Sequence, residues 1–251
     1  MPPCASTWAR LSAELAELER WLLPAECLLC RHPVGGEGLV CQLCRSRWRP
    51  VVPPWCRRCG QPTPAGESCR ICLDWPAPFV EAASAVWLDA PARLAVHHLK
   101  YDGWHGIAAE LAKSMARLDL LRQGGVLAPI PLGAARERSR GYNQSAVLAR
   151  NLGRLVGLEA RATLLRRTRE TPTQTSLTPE ARAANVRGAF AVDGRCPPRV
   201  ILVDDVFTTG ATLAAAAAAL HAGGAAEVRA ITFARAELPL AQVSRAMRAD
   251  N

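Results

Sequence analysis

The sequence predicts an α/β protein, a mostly parallel sheet flanked by helices, preceded by a small domain held together by metal. Three observations carry that expectation. Strand-like and helix-like segments alternate from Phe79 onward, the pattern of a parallel sheet covered on both faces. Eight of the ten cysteines form four C-x-x-C pairs, all of them before Asp74. The stretch VILVDDVFTTGAT, Val200 to Thr212, runs from apolar residues through two adjacent acids into hydroxyls around one glycine.

A chain of 251 residues has room for one medium domain and one small one. No apolar run approaches the ~20 residues of a membrane span. Glu14, Glu17 and Glu19 interrupt the first segment, so it does not read as a secretory signal, and a cytoplasmic location is expected. Leu11, Leu15, Leu18 and Leu22 fall on one helical face, with Ser6 or Thr7 as N-cap. Residues 1–25 are therefore expected to form an amphipathic helix that docks on the protein or on a partner. The formal charge of +9 suggests phosphates, nucleic acid or an acidic protein as company. If eight thiolates hold two Zn²⁺ ions, the net charge falls to about +5, so charge alone decides nothing.

The pairs are Cys27/Cys30, Cys41/Cys44, Cys56/Cys59 and Cys69/Cys72; Cys4 and Cys196 stand apart. Two cysteines separated by two residues sit on a tight turn whose N–H groups bond the sulfurs and favour thiolate. Two such knuckles complete a tetrahedral S₄ shell suited to Zn²⁺, closed and therefore structural. The rival readings are a disulfide cluster, an iron site or one redox-active pair; four pairs together in a chain without an export signal favour zinc. Glycine after the second cysteine in CRRCG, Cys56 to Gly60, suits the knuckle turn. Sequential pairing makes two ribbons, one from Cys27, Cys30, Cys41 and Cys44, the other from Cys56, Cys59, Cys69 and Cys72; interleaved pairing stays open. Residues 26–76 are few in aliphatics, so metal must supply much of their folding energy. DWPAPF, Asp74 to Phe79, reads as a proline-punctuated link to a second domain over residues 79–251.

In that domain the expected elements are a strand at Ala82–Leu88, helices at Ala92–Leu99 and Ile107–Leu121, and a buried strand in Val126–Leu132. Gln144–Val156 follows as a helix with Leu148, Leu152, Leu155 and Val156 on one face. A short strand is expected near Thr163–Leu165 and a central one at Val200–Val203. A helix from Ala211 to Ala222, closed by Gly223 and Gly224, and a last strand from Val228 complete the set.

In parallel sheets ligands bind at the carboxyl ends of the strands, where Asp204 and Asp205 are expected to leave the strand. Val206 to Thr212 then turns into a helix whose N–H groups and dipole converge on one point. Thr208, Thr209 and Thr212 add hydroxyls, and Gly210 allows close backbone approach. The stretch lacks the lysine of nucleoside triphosphatases and the G-x-G-x-x-G of dinucleotide binders. An acid pair for ribose hydroxyls beside a cradle for a 5′-phosphate describes a phosphoribosyl group. An ordinary strand, turn and capped helix with solvated acids is the plain alternative.

The stretch resembles the signature of type I phosphoribosyltransferases, whose acids hold the ribose of phosphoribosyl pyrophosphate (PRPP) and whose loop holds the 5′-phosphate. That resemblance gives Asp204 and Asp205 the first role, catalytic in the broad sense. It gives Val206, Phe207, Thr208, Thr209, Gly210, Ala211 and Thr212 the second. PIPLGAARERSRGYNQSAVLAR, from Pro129, and RTRETPTQTSLTPEARAANVRGAF, Arg167 to Phe190, resemble two further signatures of the ComF family, which the cysteine knuckles also match. This chain departs from the family in having Gly133, Ala134 and Ala135 where His-Pro and a basic residue are common. The resemblance implies that Arg136, Arg138 and Arg140 face the pyrophosphate, that Lys100 approaches it, and that Gln174, Arg182 and Asn185 belong to a flap over PRPP. Tyr142, Asn143 and Gln144 then position the arginine loop rather than touch ligand. His97, His98 and His105 read as plain helix residues.

Phosphoribosyl transfer needs charge stabilisation and positioning, with Mg²⁺ bridging ribose hydroxyls and diphosphate, and no protein nucleophile. None is visible. The acceptor has no readable motif. The family resemblance implies either a PRPP-dependent transferase or a binding component of DNA uptake in natural competence, handling single-stranded DNA with a ComF helicase partner. In the second case Arg45, Arg47, Arg49, Arg57 and Arg58 would meet DNA or a partner, with Trp48 and Trp55 as the stacking residues.

Overall fold

A computed structural model describes residues 26–34, 38–63, 69, 71–169, 186 and 188–237. The expected N-terminal helix, Cys4 and the flap residues Gln174, Arg182 and Asn185 lie outside them. The chain divides into two compact units, one ending at Arg47 and one beginning at Trp48. No helix among the described residues is long and apolar enough to cross a membrane.

In the first unit the described segment is a cysteine knuckle followed by one short helix, α1 (Gln42–Ser46). Cys41 is its N-cap: the Cys44 N–H donates to Cys41 Sγ at 3.4 Å.

The second unit is built on a four-stranded parallel sheet. Its strands are β1 (Phe79–Trp87), β2 (Val126–Pro129), β5 (Arg199–Phe207) and β6 (Glu227–Arg235), in the spatial order β1-β6-β5-β2. Between them run α2 (Ala90–Tyr101), α3 (Ile107–Met115), a 3₁₀ turn at Asp119–Gln123, α4 (Ala134–Arg140), α5 (Gln144–Val156) and α6 (Ala211–Ala222). Two short strands, β3 (Leu165–Arg167) and β4 (Phe190–Val192), make a separate antiparallel pair. Helices α3 and α5 pack against the sheet and each other, while α6 packs on β4, β5 and β6. The core strand residues Ile201, Leu202, Val203, Val228, Ala230 and Ile231 are buried, so β5 and β6 read as near-continuous apolar runs, as strands covered on both faces must.

Local chemistry explains the element ends. Asp89 caps α2 by accepting from the Ala92 N–H at 3.2 Å, with Pro91 in the first turn. Asn143 caps α5 through the Ser145 N–H at 3.0 Å, and left-handed Gly157 closes it. The expected α5 matches residue for residue. The second expected helix is shorter, ending at Met115 before the 3₁₀ turn. The short expected strand lies two residues later, at Leu165–Arg167. The arginine-rich segment after Gly133, read as a loop, is a helix.

Two expectations need correction. Asp204 and Asp205 do not leave the strand: β5 continues to Phe207 because β6 is equally long, pairing Asp204 with Thr232 and Phe207 with Arg235. The segment Asp74–Phe79 is no mere spacer. Trp75 is buried and stacked on Phe79 with ring centroids 4.1 Å apart, so the prolines set a turn that folds aromatic surface into the core.

Candidate functional site

The carboxyl ends of β5 and β2 and the helices around them line an open cleft of about 810 Å³. Asp204, Asp205, Val206, Thr208 and Thr212 come to it from β5 and the following turn. Lys100, His97, Arg93 and Tyr101 come from α2; Arg136 and Arg140 from α4; Gln144 and Ser145 from α5; Arg167 from β3.

The two acids are held differently. Asp205 is buried, and Lys100 Nζ stands 2.8 Å from its Oδ1, while its Oδ2 is buried without a hydrogen-bond donor. Burial works against the Lys100 charge, yet Asp205 outweighs it and keeps the ammonium pKa above its ordinary value. Asp204 Oδ1 accepts from Ser145 Oγ at 2.8 Å and from the Asp205 N–H at 2.9 Å. Burial first, and the Asp205 charge second, push the Asp204 carboxyl up to about 7, against the pull of Lys100. Burial beside Asp205 thus favours the protonated form of the Asp204 carboxyl.

The turn after β5 is shaped by one glycine. Gly210 has φ +77°, and a Cβ there would sit 2.9 Å from the rings of both Phe207 and Trp75. It caps α6, whose first N–H groups have no upstream carbonyl to bond and form an anion-attracting end. Thr209 Oγ1 accepts from the Ala211 N–H at 3.4 Å. Thr208 and Thr212 line the cleft, and Phe207 points instead into the core, 1 % exposed.

The basic side is also ordered. Arg140 donates to Gln144 Oε1 at 2.9 Å and lies over the Tyr101 ring at 5.1 Å. Asn143 donates to the Ile130 carbonyl at 3.0 Å, and the Tyr142 hydroxyl donates to the Leu99 carbonyl. Tyr142, Asn143 and Gln144 therefore fix the arginine helix against α2 and β2. Arg138 is exposed and is not among the lining residues. Ser145, Tyr101, Arg93 and Arg167 were not legible as site residues. His97, read as a plain helix residue, lines the cleft, while His98 pairs with Asp102 at 2.7 Å and His105 stacks on Tyr142 at 3.9 Å.

The cysteines form two quartets, Cys27/Cys30/Cys41/Cys44 and Cys56/Cys59/Cys69/Cys72, each with its ligand atoms within 4.8 Å of one another. Pairing is sequential, and interleaving is excluded. The two knuckles repeat each other: the Arg31 N–H donates to the Cys27 carbonyl as the Gly60 N–H does to Cys56, both at 2.8 Å. Gly60 and Arg31 both adopt left-handed φ, at 70° and 62°. In the second quartet a hydrogen bond from Cys59 draws the Cys69 thiol down to about 5, and the same bond drives Cys59 strongly upward. Four clustered sulfurs cannot all ionise unless a cation sits among them, which is the donor set Zn²⁺ requires.

The candidate DNA-facing residues before Cys59 divide. Arg58 is spent inside the fold, its guanidinium donating to the carbonyls of Cys72, Trp75, Pro76 and Phe79 at 2.9–3.3 Å. Trp48 is buried against Phe233, so it offers no face for stacking. Arg49 pairs with Glu237. Arg57 and Trp55 remain exposed.

Sheet, acid pair and glycine turn, with the cysteine quartets before them, define a phosphoribosyltransferase-type domain carrying a double zinc ribbon. Residues 126–244 match the model of the phosphoribosyl transferase domain and residues 18–73 that of the double zinc ribbon domain. The chain is 33 % identical over 221 residues to the DNA utilization protein YhgH of Escherichia coli K12, covering 82 % of this chain and 95 % of that one. It is 28 % identical over 224 residues to competence protein F of Haemophilus influenzae, covering 84 % and 96 %. It is 27 % identical over 209 residues to competence protein ComFC of Bacillus subtilis, covering 78 % and 84 %. The chain belongs to the ComF family.

Proposed function

We propose that the cleft binds PRPP with Mg²⁺ and supports transfer of its phosphoribosyl group to an acceptor. The observation that carries this reading is convergence. An acid pair, a hydroxyl-bearing helix start and three cations, Lys100, Arg136 and Arg140, line one cleft at the carboxyl end of the central strand. Asp205 Oδ2, a buried acceptor without a donor, fits a ribose hydroxyl, since buried acceptors are normally satisfied. Thr208, Thr212 and the start of α6 would take the 5′-phosphate.

In the reaction the bond from C1 to the diphosphate oxygen breaks with its electron pair leaving on the diphosphate, and a bond from C1 to the acceptor forms. Lys100, Arg136 and Arg140 stabilise the charge that gathers on the departing oxygens. Asp204 and Asp205 hold the ribose as it flattens, and their negative charge favours the oxocarbenium-like ring. Mg²⁺, held through ligand oxygens beside Asp204 and Asp205, would neutralise diphosphate charge. Gln174, Arg182 and Asn185 are assigned to a flap over the bound ligand, and the zinc ribbons to structure.

Calorimetry with PRPP and Mg²⁺ tests the assignment. The native protein should bind, and the double change Asp204→Asn/Asp205→Asn should abolish binding without unfolding. Retained affinity in the variant would show that the acids are misassigned.

A second reading, handling of single-stranded DNA with a ComF helicase, draws on the family resemblance; the relatives' names say only DNA utilization and competence. One observation favours a place for it other than the ribbon: Tyr101, 65 % exposed, lines the cleft with Arg140 stacked over its ring. Salt-sensitive DNA binding lost in Tyr101→Ala would support this reading. Binding unchanged in that variant would remove it from the rim.

A further inference from the structure

The second cysteine quartet does more than sit before the sheet: three side chains carry its position to the turn after β5. Arg235, the last residue of β6, is 1 % exposed and is the largest fully buried side chain among the described residues. Its Nη1 donates to the Cys59 carbonyl at 2.6 Å and its Nη2 to Gln61 Oε1 at 2.8 Å. Its guanidinium lies over the Phe207 ring, 4.2 Å from the centroid. Phe207 in turn is tilted against Trp75 at 6.1 Å. Both rings close on Gly210, leaving no space for a Cβ. Trp75 is fixed from the other side by its stack on Phe79 and by Arg58, whose Nη2 donates to the Trp75 carbonyl. A buried arginine is costly, the more so because Arg235 Nε is buried without a partner, and a four-thiolate metal shell would supply the counter-charge it needs. Such a residue is unnecessary for closing the end of an interior strand that apolar side chains could cover.

We propose that Arg235, Phe207 and Trp75 are positioning residues for the 5′-phosphate turn, with the second quartet as their anchor. The ribbon thereby supports from behind the turn that forms the sugar-phosphate half of the cleft. This rests on the reading of Val206–Thr212 as a phosphate cradle. The cation side, Lys100 and Arg140, comes from α2 and α4, and among the described residues neither side chain shares a hydrogen bond or ring contact with these three side chains. The two halves of the ligand site are therefore separable.

That separation gives the test. Ribose 5-phosphate probes the turn, and Mg²⁺-pyrophosphate probes the cationic half, with calorimetry on the full chain and zinc content measured in parallel. In Trp75→Leu and in Arg235→Lys the dissociation constant for ribose 5-phosphate should rise about tenfold, while that for Mg²⁺-pyrophosphate should change less than twofold. Trp75→Phe, which keeps an aromatic ring on Phe79, should restore ribose 5-phosphate binding to near the native value. Where Trp75→Leu fails to fold, Arg235→Lys and Trp75→Phe carry the comparison. Equal losses for both probes would reduce the three residues to general stabilisers and overturn the proposal. So would unchanged ribose 5-phosphate binding in Arg235→Lys beside native binding in the parent. A parent chain that binds Mg²⁺-pyrophosphate but no ribose 5-phosphate would instead remove the cradle reading itself, and the proposal with it.

Discussion

Lys100 Nζ rests 2.8 Å from Asp205 Oδ1, joining the last turn of α2 to the carboxyl half of β5 across the floor of the cleft. Both side chains are largely withdrawn from water, 21 % and 4 % exposed. An ion pair so placed gains little net free energy over an apolar pair, but breaking it strands a charge. Lys100→Met should therefore lower stability by about 3 kcal/mol, and Lys100→Met/Asp205→Asn should recover most of that loss. Denaturant melts of the native chain, Lys100→Met, Asp205→Asn and the double variant check this. Simple additivity would show that the pair is not coupled. Both variants should lose affinity for Mg²⁺-pyrophosphate, so stability and binding part company in the double change.

The Asp204 carboxyl, raised from an ordinary 3.8 to about 7, gives a pH dependence with a definite sign. Below about pH 4 both folded and unfolded chains hold the proton. Between about 4 and 7 the folded chain keeps a proton that the unfolded chain has released, so this group's contribution to stability falls as pH rises, and the loss is complete above 7. Asp204→Asn should flatten that decline and raise the midpoint of thermal unfolding by a few degrees at pH 8, with little change at pH 4. Ligand binding should run the other way. A carboxylate accepts ribose hydroxyls better when ionised, so PRPP affinity should climb through pH 7. Scanning calorimetry and titration calorimetry over pH 5–8 give both slopes.

Gly210→Ala combines two faults, a left-handed φ of +77° and a Cβ 2.9 Å from two buried rings. The expected cost is about 2–4 kcal/mol, with a lower unfolding midpoint and weakened ribose 5-phosphate binding. Gly141→Ala is the comparison: its φ is also +77°, but a Cβ there meets nothing within 4 Å, so only the backbone cost of about 1 kcal/mol applies. Equal destabilisation of the two would mean that the Trp75–Phe207 walls give way freely.

What the sequence made legible, and what it hid, follows from how locally each feature is encoded. Helix α5 could be placed to the residue because its apolar period, its Asn143 cap and its Gly157 stop all lie in one stretch. The cysteine quartets were visible because knuckle spacing is local chemistry, but their sequential order needed the fold. Helix α4 was missed because Gly133, Ala134 and Ala135 precede a run without apolar period, and none of its residues is buried. The true end of β5 was hidden because it depends on the length of β6, which the residues of β5 cannot report. Ser145 carried no signal: a serine early in a helix looks like surface, and only the approach of β5 gives it Asp204 to bind. Trp48 and Arg58 seemed available to DNA because a tryptophan or arginine among turns is ordinarily exposed, and tertiary packing reversed that.

Arg58 is committed inside the fold. Its guanidinium donates to four carbonyls in the segment Cys72–Phe79, and its own carbonyl accepts from the Ala82 N–H at 2.7 Å, so it clasps the chain where the second quartet meets β1. Removing the side chain leaves the Cys72 and Pro76 carbonyls one turn N–H each and takes the Arg58 donors from those of Trp75 and Phe79, a loss of about 1–3 kcal/mol for each carbonyl that water cannot reach. Arg58→Ala should therefore lower the unfolding midpoint by several degrees and hasten release of the second zinc ion to a chelator. Arg57, one residue earlier and exposed, faces none of these carbonyls, and Arg57→Ala should leave both properties unchanged. A zinc-sensitive dye following metal loss in the two variants separates them. If instead Arg58→Ala kept its melting point and lost only affinity for single-stranded DNA, with a shallower salt dependence, the arginine would be a phosphate contact and the clasp would be incidental. Three nitrogens committed to four backbone oxygens leave that guanidinium little edge for a phosphate.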